Sequence, residues 1–217
     1  MLQIISSFAV NKLFLPILRK QLYMKKILLS LFATTFFVTA FSQDEYKKQP
    51  SLGIHFVLND FKTAADLRTA GLSNVIKTSQ YSKTSRMIAG MAVSYIQGLS
   101  NSVDFAGTLT GSYLDYPVPN KISGGKSQLL LEAVATGNVK LLSDKYRVSP
   151  FLALGVGASK YGGYYSAFIP AGVGIQAKLF EGTFAVLNSQ YRIPITENSA
   201  YHLYHSFGIV APLSKKK

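Results

Sequence analysis

The chain has 217 residues, a formal net charge of +13 at pH 7, 15% charged residues, 12% aromatic residues and no cysteine. The lack of cysteine excludes a disulfide framework, thiolate metal sites and lipid attachment through a cysteine. A chain this rich in aromatic residues, with 17 glycines and few charges, is typical of a single β domain.

The first predicted element is a secretory signal peptide at 24–43. Lys25 and Lys26 form a basic start, 27–41 is uncharged and apolar, and Ala40 and Ser42 are small residues where a signal peptidase cuts. We expect Met24 to be the true start and cleavage to occur before Gln43, so that 1–42 holds an upstream segment and the signal. The alternative is an anchoring helix, but the run is shorter than the roughly 18 to 20 apolar residues that a spanning helix needs.

Eight segments of alternating polarity follow, each long enough for a tilted strand that crosses a membrane. They lie at 51–58, 86–97, 102–114, 128–141, 148–161, 166–180, 183–193 and 201–213, and no convincing amphipathic helix lies between them. An even number of strands favours a closed antiparallel up-and-down barrel. We therefore predict an all-β, eight-stranded transmembrane barrel over 43–214, followed at 215–217 by a lysine tail or the start of a linker.

The fifth segment shows which face meets lipid. Leu152, Leu154 and Val156 point one way, whereas Gly155 and Ser159 point the other. A soluble surface carries roughly 25 to 35% charged residues, but 89–103 and 151–159 contain none. The large apolar face is therefore predicted to meet lipid and the small polar face to line a narrow lumen.

The predicted connections alternate in length. Short turns at 98–100, 143–145 and 181–182 would face the periplasm, and long links at 59–85, 115–127 and 194–200 would face outward. Aromatic residues gather at strand ends beside the long links, which predicts an interfacial girdle. Its members are Tyr113, Tyr161, Tyr164, Tyr165, Phe168, Tyr191 and Tyr201.

A polar network is predicted in the lumen from four residues that share inward parity: Glu132, Lys140, Lys178 and Arg192. An isolated buried carboxylate is costly, so Glu132 is expected to pair with Arg192 or Lys178. Eight strands leave an interior that side chains can fill. This favours a permanently filled lumen over a salt-bridge gate across a narrow pore.

Three features carry a resemblance to a known family: AFSQ at 40–43, the eight alternating segments, and His205-Ser206-Phe207-Gly208-Ile209 in a last strand that runs into lysines. With these features the chain resembles the N-terminal barrel of OmpA-type outer-membrane proteins, particularly of the Bacteroidetes type. The resemblance implies an outer-membrane location, contact with lipid and lipopolysaccharide, and insertion by the barrel-assembly machinery. In that family a linker and a peptidoglycan-binding domain usually follow. The sequence stops at Lys217, so peptidoglycan is an expected partner only if such a domain exists.

No catalytic or metal signature accompanies the three histidines His55, His202 and His205. We expect no enzyme activity, cofactor or metal site, and no nucleic-acid binding by an exported chain without a basic run inside a folded segment. The predicted role is structural, membrane-anchoring or surface-interacting. Two alternatives remain, a small outer-membrane barrel enzyme acting on lipid A or phospholipid, and a secreted soluble barrel that binds a small ligand. His205 and adjacent Ser206 point to opposite faces of a strand and cannot pair with each other.

Overall fold

The computed structural model describes residues 47–81, 83–119, 125–180 and 182–213. The predicted signal peptide, the start at Met24, the cleavage before Gln43 and the lysine tail at 215–217 lie outside the described residues. They stay predictions.

Eight antiparallel strands form a closed barrel in which each strand pairs with its neighbours in sequence and the first pairs with the last. Closure leaves no edge strand with unpaired backbone groups. The predicted fold is confirmed, and each strand begins and ends within two residues of its predicted bounds. The strands are β1 (Ser51–Asp60), β2 (Ile88–Gly98), β3 (Val103–Leu114), β4 (Gln128–Lys140), β5 (Val148–Tyr161), β6 (Tyr164–Phe180), β7 (Thr183–Pro194) and β8 (His202–Pro212).

The two ends of the barrel differ. Connections β1–β2, β3–β4, β5–β6 and β7–β8 meet at one end, here called the long-loop end, and the other three meet at the short-turn end. The β5–β6 connection contains only residues 162 and 163, so the predicted difference in loop length does not extend to all four connections.

The β1–β2 connection contains two helices, α1 (Phe61–Ala70) and α2 (Leu72–Lys77), and a 3₁₀ turn at Thr84–Arg86. The prediction that no helix of useful length follows residue 51 was therefore wrong for this link. Asp60 caps α1 by accepting a 2.8 Å hydrogen bond from the Thr63 N–H, which satisfies one of the free donors at a helix start. Among the described residues, no helix has the length and apolar character needed to cross a membrane.

Two glycines make room for aromatic side chains inside the barrel. The Phe168 ring lies over Gly157, and the Phe151 ring lies over Gly174, so closely that a methyl group at either glycine would overlap the ring. Both phenylalanines are buried. Small residues on one strand therefore let large ones on the next fill the lumen.

Candidate functional site

The outer surface of the barrel is apolar on every strand. Alternation places large side chains outward, and several are more than half exposed, for example Ile54 at 65%, Met91 at 65% and Val156 at 63%. Monomeric soluble proteins rarely expose a contiguous apolar patch larger than a few hundred Å². Further exposed members are Leu52, Phe56, Val93, Leu109, Leu131, Leu152, Leu154, Val173, Leu187, Phe207 and Ile209.

Three of the aromatic residues predicted for a girdle are exposed at the long-loop end, namely Tyr113, Tyr164 and Tyr165. Two others form a stack in which the Tyr191 and Tyr201 rings lie 5.8 Å apart. The guanidinium of Arg68, from α1, lies 4.0 Å from the centre of the Tyr201 ring. This stack places a cation of the β1–β2 connection beside the aromatic side chains of the rim.

The other two predicted girdle residues, Tyr161 and Phe168, are buried inside the barrel, which corrects the prediction for them. The Tyr161 hydroxyl donates a 3.1 Å hydrogen bond to the Leu114 carbonyl, and Phe168 lies over Gly157. Both share the parity of inward-facing Ser159 or Gly174 on their own strands. Alternation along the strand therefore predicts that both side chains face inward, because nearness to a rim does not decide which face of the sheet a side chain lies on.

A buried ion pair lies inside the long-loop end. The Arg192 guanidinium on β7 contacts the Glu132 carboxylate on β4, and His202 Nε2 lies 3.4 Å from the same carboxylate. All three side chains are buried. We call Glu132, Arg192 and His202 the upper cluster.

Aromatic rings enclose the upper cluster. Arg192 lies 3.8 Å from the centre of the Tyr204 ring and 4.9 Å from that of Phe168. Phe61, the first residue of α1, stacks on His202 with centroids 4.7 Å apart. The helix-bearing connection therefore helps to cover the lumen.

Tyr116, in the β3–β4 connection, completes this cover. Its ring packs edge-on against Phe61 at 5.4 Å, and its hydroxyl accepts a 2.7 Å hydrogen bond from the Ala200 N–H. Burial raises the pKa of Tyr116 above its ordinary value, so the phenol stays neutral. Three connections, β1–β2, β3–β4 and β7–β8, thus meet at one buried phenol.

A second group of charges, the lower cluster, closes the short-turn end. Lys140 Nζ lies 2.7 Å from Asp104 and 2.8 Å from Asp144, and Lys48 Nζ lies 2.9 Å from Asp104. All four side chains are buried, and their formal charges cancel. Lys48 precedes β1, so the segment before the first strand enters the lumen.

The single network predicted from parity is therefore two separate groups. Glu132 and Arg192 lie in the upper cluster, Lys140 lies in the lower cluster eight residues along β4, and Lys178 is exposed near the end of β6. Eight residues of strand span about 26 Å, far beyond contact distance. Parity identifies the face of a residue, whereas its depth depends on the register between strands.

Sequence reasoning missed most of the lower cluster. Asp104 has inward parity at the start of β3, but Lys48 precedes the first strand and Asp144 lies in a turn. For residues outside strands, alternation does not predict whether the side chain points into the lumen. Only the lone acid Asp104 among small polar neighbours offered a signal.

Between the two clusters the lumen holds a small cavity of about 40 Å³, lined by both polar and apolar side chains. This volume can hold a water molecule, since a single water needs a cavity of at least about 10 to 15 Å³. No group of three His, Asp or Glu within the described ranges is placed to hold a metal ion. The cavity wall includes His55, Ser94, Thr108, Thr136, Asn138, Asn188, Gln190 and Ser206.

Two serine–histidine pairs lie on opposite faces of the barrel wall. In the lumen, His55 Nε2 lies 2.7 Å from Ser94 Oγ. On the outer face, His205 Nδ1 lies 2.9 Å from Ser189 Oγ. A pairing of His205 with Ser189 on the next strand cannot be predicted from alternation, because it depends on the register between β7 and β8.

These features define a closed, eight-stranded antiparallel barrel with an apolar outer face and a lumen filled by two charge clusters. No protein-family model and no curated protein matches the chain. Among solved structures, it is similar to the N-terminal β-barrel domain of Pseudomonas aeruginosa OprF, with 10% identity, a TM-score of 0.45, and coverage of 75% of this chain and 96% of that one.

Two further solved barrels show a similar likeness. Ail, the attachment invasion locus protein of Yersinia pestis, has 12% identity and a TM-score of 0.43 over 77% of this chain and 97% of its own. Neisserial surface protein A has 12% identity and a TM-score of 0.43 over 79% and 100%. Likeness at this level assigns no function or partner to the chain.

Proposed function

We propose that this protein is a membrane-embedded barrel of the outer membrane with a structural, anchoring or surface-interaction role and a closed lumen. The observation that carries the proposal is the outward face, where large apolar side chains are exposed on every strand. In water this surface would favour aggregation, whereas lipid chains would solvate it. The closed ladder also satisfies the backbone hydrogen bonds of the wall, as a hydrocarbon environment demands.

The long-loop end is the part of the protein proposed to meet other molecules. Between Phe61 and Arg86, the β1–β2 connection carries five basic residues and a single acidic one, Asp66. A basic excess near the membrane surface suits the phosphate groups of outer-membrane lipid and lipopolysaccharide. We propose these as partners, with the barrel-assembly machinery as the partner during insertion.

The filled lumen supports an anchoring or interaction role over transport. Two buried charge clusters occupy its ends, and the cavity between them is small. A carrier of a small soluble ligand needs an open internal cavity and a polar outer surface. Neither feature is present in the described part of the barrel, which argues against the soluble alternative.

Membrane fractionation combined with gel migration tests the proposal. We expect the protein in the outer-membrane fraction, and we expect the unboiled sample to migrate differently from the boiled one, because a closed barrel resists detergent until it is heated. A control sample unfolded in urea before loading should migrate like the boiled protein. Recovery in the soluble periplasmic fraction, with one migration in all samples, would contradict the proposal.

A further inference from the structure

We propose that Ser189 and His205, with the Asp60 carboxylate on the neighbouring strand, form a lipid-facing site that hydrolyses the acyl esters of phosphate-bearing membrane lipids. The inference goes beyond the anchoring role and rests on the proposed membrane location. Its starting point is the 2.9 Å contact between Ser189 Oγ and His205 Nδ1 on the outer face. Hydrogen-bond distance between a serine hydroxyl and an imidazole is the basic requirement for an activated serine nucleophile.

The three residues lie on neighbouring strands. Ser189 on β7 is directly opposite His205 on β8, and His205 is directly opposite Leu58 on β1. Asp60 lies two residues after Leu58, so it has the same outward parity and lies diagonally from His205. Serine, histidine and carboxylate therefore follow one another across the outer face near the long-loop end.

Asp60 uses only one of its two carboxylate oxygens in a hydrogen bond. Its Oδ1 accepts the Thr63 N–H at the start of α1, whereas its Oδ2 is buried and has no hydrogen-bond partner. The second ring nitrogen of His205, Nε2, is likewise buried without a hydrogen-bond partner, so Asp60 and His205 do not hydrogen-bond to each other in this structure. Asp60 therefore acts on His205 through its charge, which favours the protonated imidazole that forms when the ring takes the serine proton.

This arrangement supports acyl transfer to serine followed by hydrolysis. Ser189 Oγ attacks the ester carbonyl carbon while His205 Nδ1 takes the hydroxyl proton, and that proton then goes to the departing alcohol as the ester C–O bond breaks. Water next attacks the acyl-serine, giving its proton to His205, and the proton returns to Ser189 as the fatty acid leaves. The net reaction consumes one ester and one water.

The surroundings select the substrate class. Val173 on β6 lies opposite Ser189, and Leu187 and Phe207 flank the pair on the same face, so the site is bordered by apolar side chains that suit an acyl chain. Towards the rim, Tyr191 stacks on Tyr201, which in turn carries the Arg68 guanidinium. The apolar side chains around Ser189 suit the acyl chain of a lipid ester, and the Arg68 cation at the rim suits a phosphate in its headgroup.

The second pair, Ser94 and His55, supplies an internal control. It has similar geometry at 2.7 Å, but it lies in the lumen between the two charge clusters. A lipid chain reaches the outer face of the barrel and not this cavity. The proposal therefore requires reactivity at Ser189 and none at Ser94.

The test uses the full chain folded in detergent, with heat-modifiable migration showing that each variant is folded. A fluorophosphonate probe, which reacts with activated serines, should label the protein, and Ser189→Ala should abolish labelling while Ser94→Ala retains it. Fatty-acid release from phosphatidylglycerol vesicles and from purified lipid A would identify the source of the substrate. His205→Asn should lower release about 100-fold or more, the lower bound of a typical general-base contribution.

Asp60→Asn tests the electrostatic role of Asp60, because asparagine can still cap α1 but carries no charge. We expect slower labelling with a changed pH dependence in folded Asp60→Asn protein, and an unchanged pH dependence in Ser94→Ala. A folded, heat-modifiable protein that is neither labelled nor releases fatty acid would overturn the hydrolytic site and leave the membrane barrel standing. Equal labelling of the native protein and Ser189→Ala would also overturn it, whereas loss of heat-modifiability in the native protein would count against the barrel proposal itself.

Discussion

Individual buried charges set the energetic demands inside this barrel. Glu132 and Arg192 are both removed from water, and each supplies the opposite charge that the other needs. In such a pair, the loss of one partner costs about 3 to 5 kcal/mol because the other charge stays buried and unpaired. Replacing both partners with neutral residues of similar size removes that penalty.

A double-mutant cycle should show this coupling. We expect Glu132→Gln and Arg192→Met each to lower the free energy of unfolding, and the double variant to lose less than the sum of the two by up to about 3 kcal/mol. Urea unfolding of the protein refolded in detergent measures all three. Lys178→Met is the matched control, since Lys178 shares the predicted parity but is exposed and should add independently to Glu132→Gln. Strict additivity in both cycles would show that Glu132 and Arg192 do not stabilise each other.

At the scale of the strand, successive side chains alternate between the lipid-facing outer surface and the lumen. Val156 on β5 is exposed on the outer face, and Thr108 on β3 lines the lumen cavity. Val156 pairs with Ala135 of β4, which pairs with Gly107, the residue before Thr108. The two positions thus lie two strands apart, on opposite faces of the wall.

An asparagine at each position should therefore have unequal effects. Val156→Asn places an amide in lipid without a partner, whereas Thr108→Asn places one among the hydroxyl and amide groups of the lumen. We expect the outer variant to lower the free energy of unfolding in lipid by about 1 to 3 kcal/mol more than the inner one. Unfolding in lipid vesicles measures both, and equal losses would mean that the face assignment is wrong.

The strands themselves were predictable from sequence because a barrel wall imposes period two on each segment, as the close match in bounds shows. The same rule, applied to Tyr161 and Phe168, would have placed them inside. The helices α1 and α2 were not predicted because α1 is only weakly amphipathic and α2 has only six residues. The contacts of Lys48 with Asp104 and of Ser189 with His205 required the strand register, which alternation alone does not give.

At the scale of the whole molecule, the sheet is closed into a barrel, and the lumen of that barrel is closed at both ends. The β1–β8 pairing closes the wall, and the two charge clusters close the axis from opposite ends. Each cluster draws on residues from different strands, and Lys48 and Phe61 bring in segments outside the strands. The lumen is therefore held shut by contacts that also tie the connections to the wall.

We expect the folded protein to form no steady ion channel in planar bilayers, because an ion would have to displace both clusters. Removal of one cluster alone should give no current, since the other cluster still blocks the axis. The lower cluster is removed by alanine at Lys48, Asp104, Lys140 and Asp144, and the upper one by Glu132→Ala with Arg192→Ala. Each set removes equal numbers of cations and anions, so neither leaves a net charge buried in the lumen. The combined six-residue variant should conduct if it remains heat-modifiable. A steady current from the native protein would show that the clusters do not close the lumen, and a steady current from either single-cluster variant would show that the remaining cluster does not close it.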